Sequence, residues 1–168
     1  MSARIRTGYS FRTAVGRIED VMARIKAIGL THAPITDTAS TFGYVKWKKL
    51  AKKNGLRPVF GVELAVTNSI NEKKPAIDYW TFIAKDSLVP LNELIALATT
   101  QFRYQPLLTR EQALERTDVF SIMGYRADFA SIAAREDLFF GLGPSLTKGQ
   151  LKRAIDAGHM PIAVSLVE

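Results

Sequence analysis

The segment PVFGVELAV, residues 58–66, decides how this chain folds. Successive side chains of a strand point to opposite faces, so the alternation predicts one bulky apolar face and one smaller face. The bulky face consists of Phe60, Val62, Leu64 and Val66, and the smaller face of Val59, Gly61, Glu63 and Ala65. A single carboxylate on the smaller face is compatible with the lumen of a barrel, and Glu63 is therefore a candidate site residue.

Short apolar runs on both sides of this segment predict five further strands. They cover residues 33–36, 80–84, 119–123, 138–142 and 161–164, with an exposed hairpin-like loop at 68–75. Asp37 comes directly after the strand at 33–36. In α/β folds functional residues gather at the carboxyl ends of strands, so Asp37 is the second candidate site residue.

Helices are predicted between these strands from apolar residues that recur with a period of 3.6. Strong patterns lie at residues 18–28, at about 43–54, after Asp86-Ser87 with Pro90 in the first turn, and from Thr147 to Gly158, where Leu151, Ala154 and Ile155 should face inward. Weaker helices are predicted at 110–115 and 128–135. Alternation of strands and helices predicts an α/β fold with a mainly parallel sheet or a barrel.

The composition suits one cytoplasmic domain over residues 1–168. Hydrophobic residues make up 47% of the chain, which is enough to bury a core, and there is no cysteine. The lack of cysteine excludes disulfides, thiolate metal sites and cysteine nucleophiles. No apolar run approaches the ~20 residues that cross a bilayer, so no membrane partner is expected.

The chain carries a net charge of +7, which attracts polyanions such as DNA or acidic protein surfaces. The densest basic run contains Lys46, Lys48, Lys49, Lys52, Lys53 and Arg57. A solvated helix face is the simpler interpretation, and a patch that contacts phosphates is the alternative. No ladder of aromatic residues accompanies these lysines, so base stacking is not supported.

Several motifs in order along the chain resemble the PHP (polymerase and histidinol phosphatase) domain, in the form found at the start of bacterial DNA polymerase III alpha subunits. They are RTGYS at residues 6–10, GRIED at 16–20, ITDT at 35–38, FGYV at 42–45, PVFGVE at 58–63, TFIAKD at 81–86, the segment 118–124 and MPIAV at 160–164. The resemblance implies a distorted or incomplete (β/α)7-type PHP barrel of about seven strands.

Active members of this family hold two or three metal ions with histidines and carboxylates, and the resemblance implies that most of these ligands are lost here. The His-x-His motif of the family's first strand is replaced here by Arg4-Ile5-Arg6, and its Asp-His motif by Asp37-Thr38. The later metal-binding turn corresponds to Met123-Gly124-Tyr125, and the terminal Asp-x-His motif to Leu166-Val167-Glu168. Asp37 and Glu63 remain, with Glu168 as a third candidate ligand. We expect no metal and no catalytic residue, with one Mg²⁺ or Mn²⁺ as the alternative.

Arginine cannot ligate a metal, so the arginines in the first motif call for another role. Our hypothesis is a salt-bridge plug, in which Arg6, alone or with Arg4, lies near Asp37 and Glu63 and replaces the charge of the metal. Two alternatives stay open. In the first alternative, both arginines point to solvent. In the second, they bind a phosphate together with Arg12 or Arg17, in a pocket that Tyr9 and Ser10 line.

The function implied by the resemblance is that of a catalytically inactive module in DNA replication. Its partners would be a polymerase body or other replication proteins, and DNA is a further candidate partner. The alternatives are a residual metal-dependent phosphoesterase or exonuclease, and a basic accessory protein that binds nucleic acid. The two histidines, His32 and His159, are interpreted as polar surface residues.

Overall fold

A computed structural model describes residues 4–10, 14–101 and 104–164 of the chain. Seven strands lie in this part: β1 (His32–Thr38), β2 (Arg57–Thr67), β3 (Ile77–Ala84), β4 (Leu107–Thr109), β5 (Val119–Met123), β6 (Leu138–Leu142) and β7 (Met160–Ala163). The helices are α1 (Ile18–Ala27), α2 (Tyr44–Lys53), α3 (Val89–Thr100), α4 (Arg110–Glu115) and α5 (Lys148–Asp156), and Phe129–Ser131 forms a 3-10 turn. None of these helices has the length and apolarity to span a bilayer.

All seven strands belong to one sheet that curls into a half-barrel, in the order β1-β2-β3-β5-β6-β7, with β4 paired to β2 beside this path. Strand β3 runs antiparallel to β2 and β5, and the other pairs are parallel. The two outer strands, β1 and β7, each contain a proline, Pro34 and Pro161. The predicted α/β class and incomplete barrel are confirmed.

Strand β2 positions the candidate site because three strands pair with it. Strand β3 occupies one edge, whereas β1 pairs with residues 57–63 and β4 with residues 65–67 along the other edge. Strand β1 therefore ends opposite Glu63. The chain turns away at Ala39, which has a positive φ of 50° and donates its N–H to the carbonyl of Glu63 at 2.8 Å.

Two hydrophobic clusters hold the helices against the sheet. In the larger cluster, β2 and β3 contribute Val62, Leu64, Val66, Trp80 and Phe82, which pack with residues of α3, α4 and α5. In the smaller cluster, α1 and α2 pack against β1 around Ile25, Trp47 and Ile35. The face of β2 predicted to be bulky thus contributes to the core, and Glu63 lies on its opposite face.

The helix ends follow signals that are visible in the sequence. Gly55 and Gly158 adopt positive φ angles of 72° and 80° just after α2 and α5, where a side chain would be strained. Thr109 and Thr147 form capping boxes with the glutamines three residues later, at the starts of α4 and α5. The boundaries of α4, β5 and β6 agree with the predicted ranges.

Some expectations were wrong. The helix predicted at 128–135 is reduced to the 3-10 turn, because Ile132 is already extended and the chain runs on toward Asp137. Ile155 was predicted to face inward but is 55% exposed, since Ala154 takes the buried position of α5. Strand β4 was not predicted. It forms because β1 leaves the end of the β2 edge unpaired.

Candidate functional site

The segment before α1 brings two arginines to the sheet without forming a regular strand. Thr36 N–H donates to the carbonyl of Ile5 at 2.8 Å, but Ile5 N–H donates to the hydroxyl of Thr36, also at 2.8 Å, so a side chain replaces one bond of a backbone ladder. Ile5 is fully buried in the smaller cluster. In this extended segment the side chains alternate, so Arg4 and Arg6 point away from that cluster.

Glu63 lies at the centre of an ion-pair cluster on the lumen side of β2. Its side chain is fully buried, and Arg6 Nη2 donates to Oε1 at 2.5 Å. Arg4 Nη2 forms an ion pair with the other carboxylate oxygen, and the Thr38 hydroxyl donates to Oε1 at 3.0 Å. The side chains of Arg4 and Arg6 are 21% and 18% exposed. Both oxygens of Glu63 are thus engaged by cations.

The pKa of Glu63 depends on burial and on the charged and polar groups around its carboxyl. Its pKa is raised from 4.5 to about 7, mainly because burial disfavours the charged form. The Arg6 guanidinium and the hydrogen bond from Thr38 oppose this rise in pKa, and the negative charge of Asp78 adds to it. Desolvation disfavours the carboxylate more than the neighbouring cation favours it. Burial therefore makes Glu63 a weaker acid than an exposed glutamate, although cations contact it.

Asp37 has a different set of partners, all of them uncharged. It is fully buried at the end of β1 and accepts hydrogen bonds from Thr7 N–H at 2.6 Å, Thr7 Oγ1 at 2.8 Å and Ser10 Oγ at 2.6 Å. Gly43 closes over it, since a Cβ there would lie 3.0 Å from the Tyr9 ring and 3.4 Å from Asp37 Oδ2. The tight turn at residues 7–10 thus supplies the donors that stabilise this buried carboxylate.

The expectation that Arg6 lies near both carboxylates needs correction. In the register of β1 and β2, Asp37 pairs with Val62 and Thr38 pairs with Glu63. Since paired residues share a face and neighbours alternate, Asp37 and Glu63 point to opposite faces of the sheet. The arginines contact Glu63, and hydroxyl and amide donors bind Asp37.

A pocket of about 190 Å³ lies next to this cluster, at the carboxyl ends of β5 and β6. Arg4, Asp78, Gly124, Tyr125 and Arg126 are among its lining residues. Asp78 accepts hydrogen bonds from Trp80 Nε1 at 3.1 Å and Arg126 N–H at 3.3 Å, and burial raises its pKa. Gly124 is required here, because a Cβ would fall 2.1 Å from Asp78 Oδ1.

The other predicted site residues lie as follows. Tyr9 is half-buried against the smaller cluster, and Arg17 is exposed just before α1. Arg12 and Glu168 lie outside the described residues. His159 was interpreted as a surface residue, but it is 3% exposed and its Nε2 lies 3.1 Å from the carbonyl of Phe129.

Sequence reasoning missed three residues of the site. Thr7 and Thr38 are ordinary polar residues beside the motifs, and only the register identifies them as donors to Asp37 and Glu63. Asp78 had one visible signal. It is an acid two residues before the predicted strand at 80–84, and it reaches the site because β3 runs antiparallel to β2.

Among the residues that the structure describes, the side chains do not fit the metal cluster that the resemblance implies for active members of the family. No group of three or more histidine, aspartate or glutamate side chains is positioned to hold a metal within residues 4–10, 14–101 and 104–164. Asp37 and Glu63 face opposite sides of the sheet, the oxygens of Asp37 accept hydrogen bonds, and those of Glu63 form ion pairs with Arg6 and Arg4. Ions that activate water need several free donors close together.

Comparison with known proteins assigns the family. The family model described as PHP domain matches residues 2–136. This chain belongs to the PHP domain family. DNA polymerase III subunit alpha of Borreliella burgdorferi is 27% identical over 106 residues, which are 62% of this chain and 8% of that protein. The Helicobacter pylori J99 subunit is 30% identical over 67 residues, 40% of this chain and 6% of that protein. The chain thus spans less than a tenth of the length of these relatives.

A solved structure supports the same fold for this PHP domain. It is a crystal structure from Bifidobacterium adolescentis, described as that of a metal-dependent phosphoesterase. The two share a TM-score of 0.66 at 9% sequence identity, over 98% of this chain and 87% of that chain. At this identity the likeness establishes the fold alone.

Proposed function

We propose that this PHP domain has no hydrolytic chemistry of its own and acts as a structural or protein-interaction module of a DNA polymerase III alpha-type replicative polymerase. The observation that carries the proposal is the buried Glu63 with Arg4 and Arg6 on its two oxygens. The proposed partners are the polymerase body or other replication proteins, the proposed compartment is the cytoplasm, and the proposed extent of the domain is residues 1–168.

The chemical argument starts from what phosphoester hydrolysis requires. A hydrolase of this kind needs metal ions, or a free base, to generate a nucleophilic water. Here guanidinium groups occupy the carboxylate that a metal would use, and arginine cannot be deprotonated to act as a base. Such an arrangement neutralises a buried charge and joins the segment at residues 4–7 to β2, which is a structural role.

Two of the alternatives, a residual phosphoesterase and a phosphate pocket, have less support. A residual Mg²⁺- or Mn²⁺-dependent phosphoesterase would use Asp37, Glu63 and Glu168. Asp37 and Glu63 do not face a common site, and Glu168 lies outside the described residues. A phosphate pocket would need Arg4 and Arg6 free for an anion, and both contact Glu63, while Tyr9 packs against the smaller cluster. We therefore favour the salt-bridge plug over either alternative.

A metal titration of the purified protein tests the missing chemistry. We expect no hydrolysis of a single-stranded oligonucleotide or of bis-p-nitrophenyl phosphate as Mn²⁺ or Mg²⁺ is added, and no metal-dependent rise in melting temperature, because ligands that bind the folded state raise it. Hydrolysis that needs the metal and disappears in Glu63→Gln, but persists in Glu72→Gln, would overturn the proposal. Glu72 is an exposed loop residue and serves as the matched control.

Co-purification tests the other half of the proposal. A tagged copy of the chain should copurify, when expressed in its own organism, with a DNA polymerase III alpha-type chain or its replication partners. Recovery of the protein free of any replication protein, under conditions in which the polymerase itself stays intact, would contradict the role as a module.

A further inference from the structure

The outer face of α2 presents four lysines without counter-charges. Lys48, Lys49, Lys52 and Lys53 are all exposed, and within the described residues none of them has an acidic side chain within ion-pair distance. Lys46 differs, because it pairs with Glu19 at 2.5 Å. Residues three and four positions apart lie side by side on a helix, so these four lysines form one continuous basic strip.

Two largely exposed apolar side chains lie at the start of this strip. Phe42 is 76% exposed and Val45 is 69% exposed. Phe42 lies two residues before the first residue of α2, and Val45 lies in the first turn of α2, one helical turn before Lys48 and Lys49. We call these two residues and the four unpaired lysines the α2 face. Exposed apolar side chains beside a basic strip indicate a binding surface more than a solvated helix face.

The α2 face is rigid because the opposite side of the helix is anchored in the sheet. Trp47 and Ala51 are fully buried, and Trp47 Nε1 donates to the carbonyl of Ala33 at 2.8 Å. The hydroxyl of Tyr44 donates to the carbonyl of Gly61, also at 2.8 Å. A rigid surface loses little conformational entropy when a partner binds.

We infer that the α2 face docks an acidic segment of a partner protein that also packs an apolar side chain against Phe42 and Val45. The carboxylates of the segment would pair with the lysines, and the apolar anchor would leave water where the two exposed side chains lie. The inference deepens the interaction role proposed above and rests on it.

Charge and chemistry favour this occupant over two others. A second copy of the chain, with a net charge of +7, would bring the lysine strip against another basic surface. A nucleic-acid backbone would satisfy the lysines but offers nothing apolar to Phe42 and Val45, and no aromatic ladder stacks bases. An acidic segment with an apolar residue complements both parts of the face.

Selection from a display library of random peptides, each about 12 residues long, tests the inference on the purified chain. We expect the selected peptides to carry net negative charge and a large apolar residue. A representative peptide should bind about tenfold or more weakly to the double variant Phe42→Ser and Val45→Ser. Replacing Lys48, Lys49 and Lys52 with glutamine should weaken binding and flatten its dependence on salt.

The matched control is Lys73→Gln with Lys74→Gln, two exposed lysines in the loop between β2 and β3. This variant should bind the peptide like the wild type. The inference is overturned if no acidic apolar peptides are enriched, if the Phe42→Ser and Val45→Ser variant binds them equally well, or if a duplex oligonucleotide binds the α2 face more tightly. If the chain copurifies with the polymerase but selects no such peptide, the proposed function stands and the docking role of the α2 face is refuted.

Discussion

Replacing Arg6 with methionine should destabilise the protein by an amount that grows with pH. Methionine keeps an unbranched apolar chain but removes the guanidinium that donates to Glu63. Breaking a fully buried ion pair costs ~3–5 kcal/mol. Arg6 is 18% exposed, and Glu63 keeps Arg4 and Thr38. We therefore expect about 2 kcal/mol when the carboxyl is ionised.

The direction of the pH dependence follows from the pKa of Glu63, which burial raises from 4.5 to about 7. Because Glu63 binds a proton more tightly in the folded state than in the unfolded state, protonation stabilises the folded state. This contribution is complete below about pH 4.5 and is lost as the pH rises through about 7. Arg6 lowers that pKa, so Arg6→Met raises it and increases the loss. The difference from wild type should be small at about pH 5 and reach its full value near pH 9.

Urea denaturation followed by tryptophan fluorescence measures this difference, since Trp47 and Trp80 are 0% and 1% exposed. The control is Lys152→Met, which removes an exposed pair with Asp156 on α5 and should cost below ~0.5 kcal/mol at every pH. An Arg6→Met variant as stable as wild type across the range, or equally destabilised at about pH 5 and about pH 9, would refute the salt-bridge plug.

Two pairs of substitutions test the local geometry by thermal denaturation. Asp37→Asn should cost ~2–3 kcal/mol because three donors lose a charged acceptor, whereas Ser10→Ala should cost ~1 kcal/mol; equal effects would argue against the hydrogen-bond set at Asp37. Gly124→Ala should destabilise by ~1–3 kcal/mol because its Cβ would collide with Asp78, whereas Gly149→Ala in α5, with open space around it, should be neutral or slightly stabilising. A stable Gly124→Ala variant would contradict the close packing at the pocket.

Much of the fold could be predicted because local patterns and tertiary structure agree. The alternation in residues 58–66 predicted β2 and the side on which Glu63 lies, and the glycines after α2 and α5 predicted their ends. Strand β4 could not be predicted, since its three residues are a strand only because the edge of β2 is free beyond β1. The extended stretch from Ile132 also has a tertiary cause, as Arg135 turns back to bond Asp137 and the end of α4.

The candidate site was harder to predict because it depends on strand register. The sequence placed Asp37 directly after one predicted strand and Glu63 within the next, and opposite charges suggested one cluster with Arg6. A shift of one residue between β1 and β2 would reverse which side chains share a face, and no local pattern fixes that register. The observed register separates the two carboxylates, so Asp37 is bound by Thr7 and Ser10 instead.

The prolines in the outer strands have a consequence for self-association. A half-barrel leaves strand edges that a closed barrel would not have, although Ile5 covers part of the outer edge of β1 at Thr36. Unpaired edges invite strands of other molecules to add to the sheet. Pro34 and Pro161 lack the N–H group that such an added strand would need, and β7 is only four residues long. The incomplete barrel thus carries in its own sequence a barrier to edge-to-edge aggregation at high concentration.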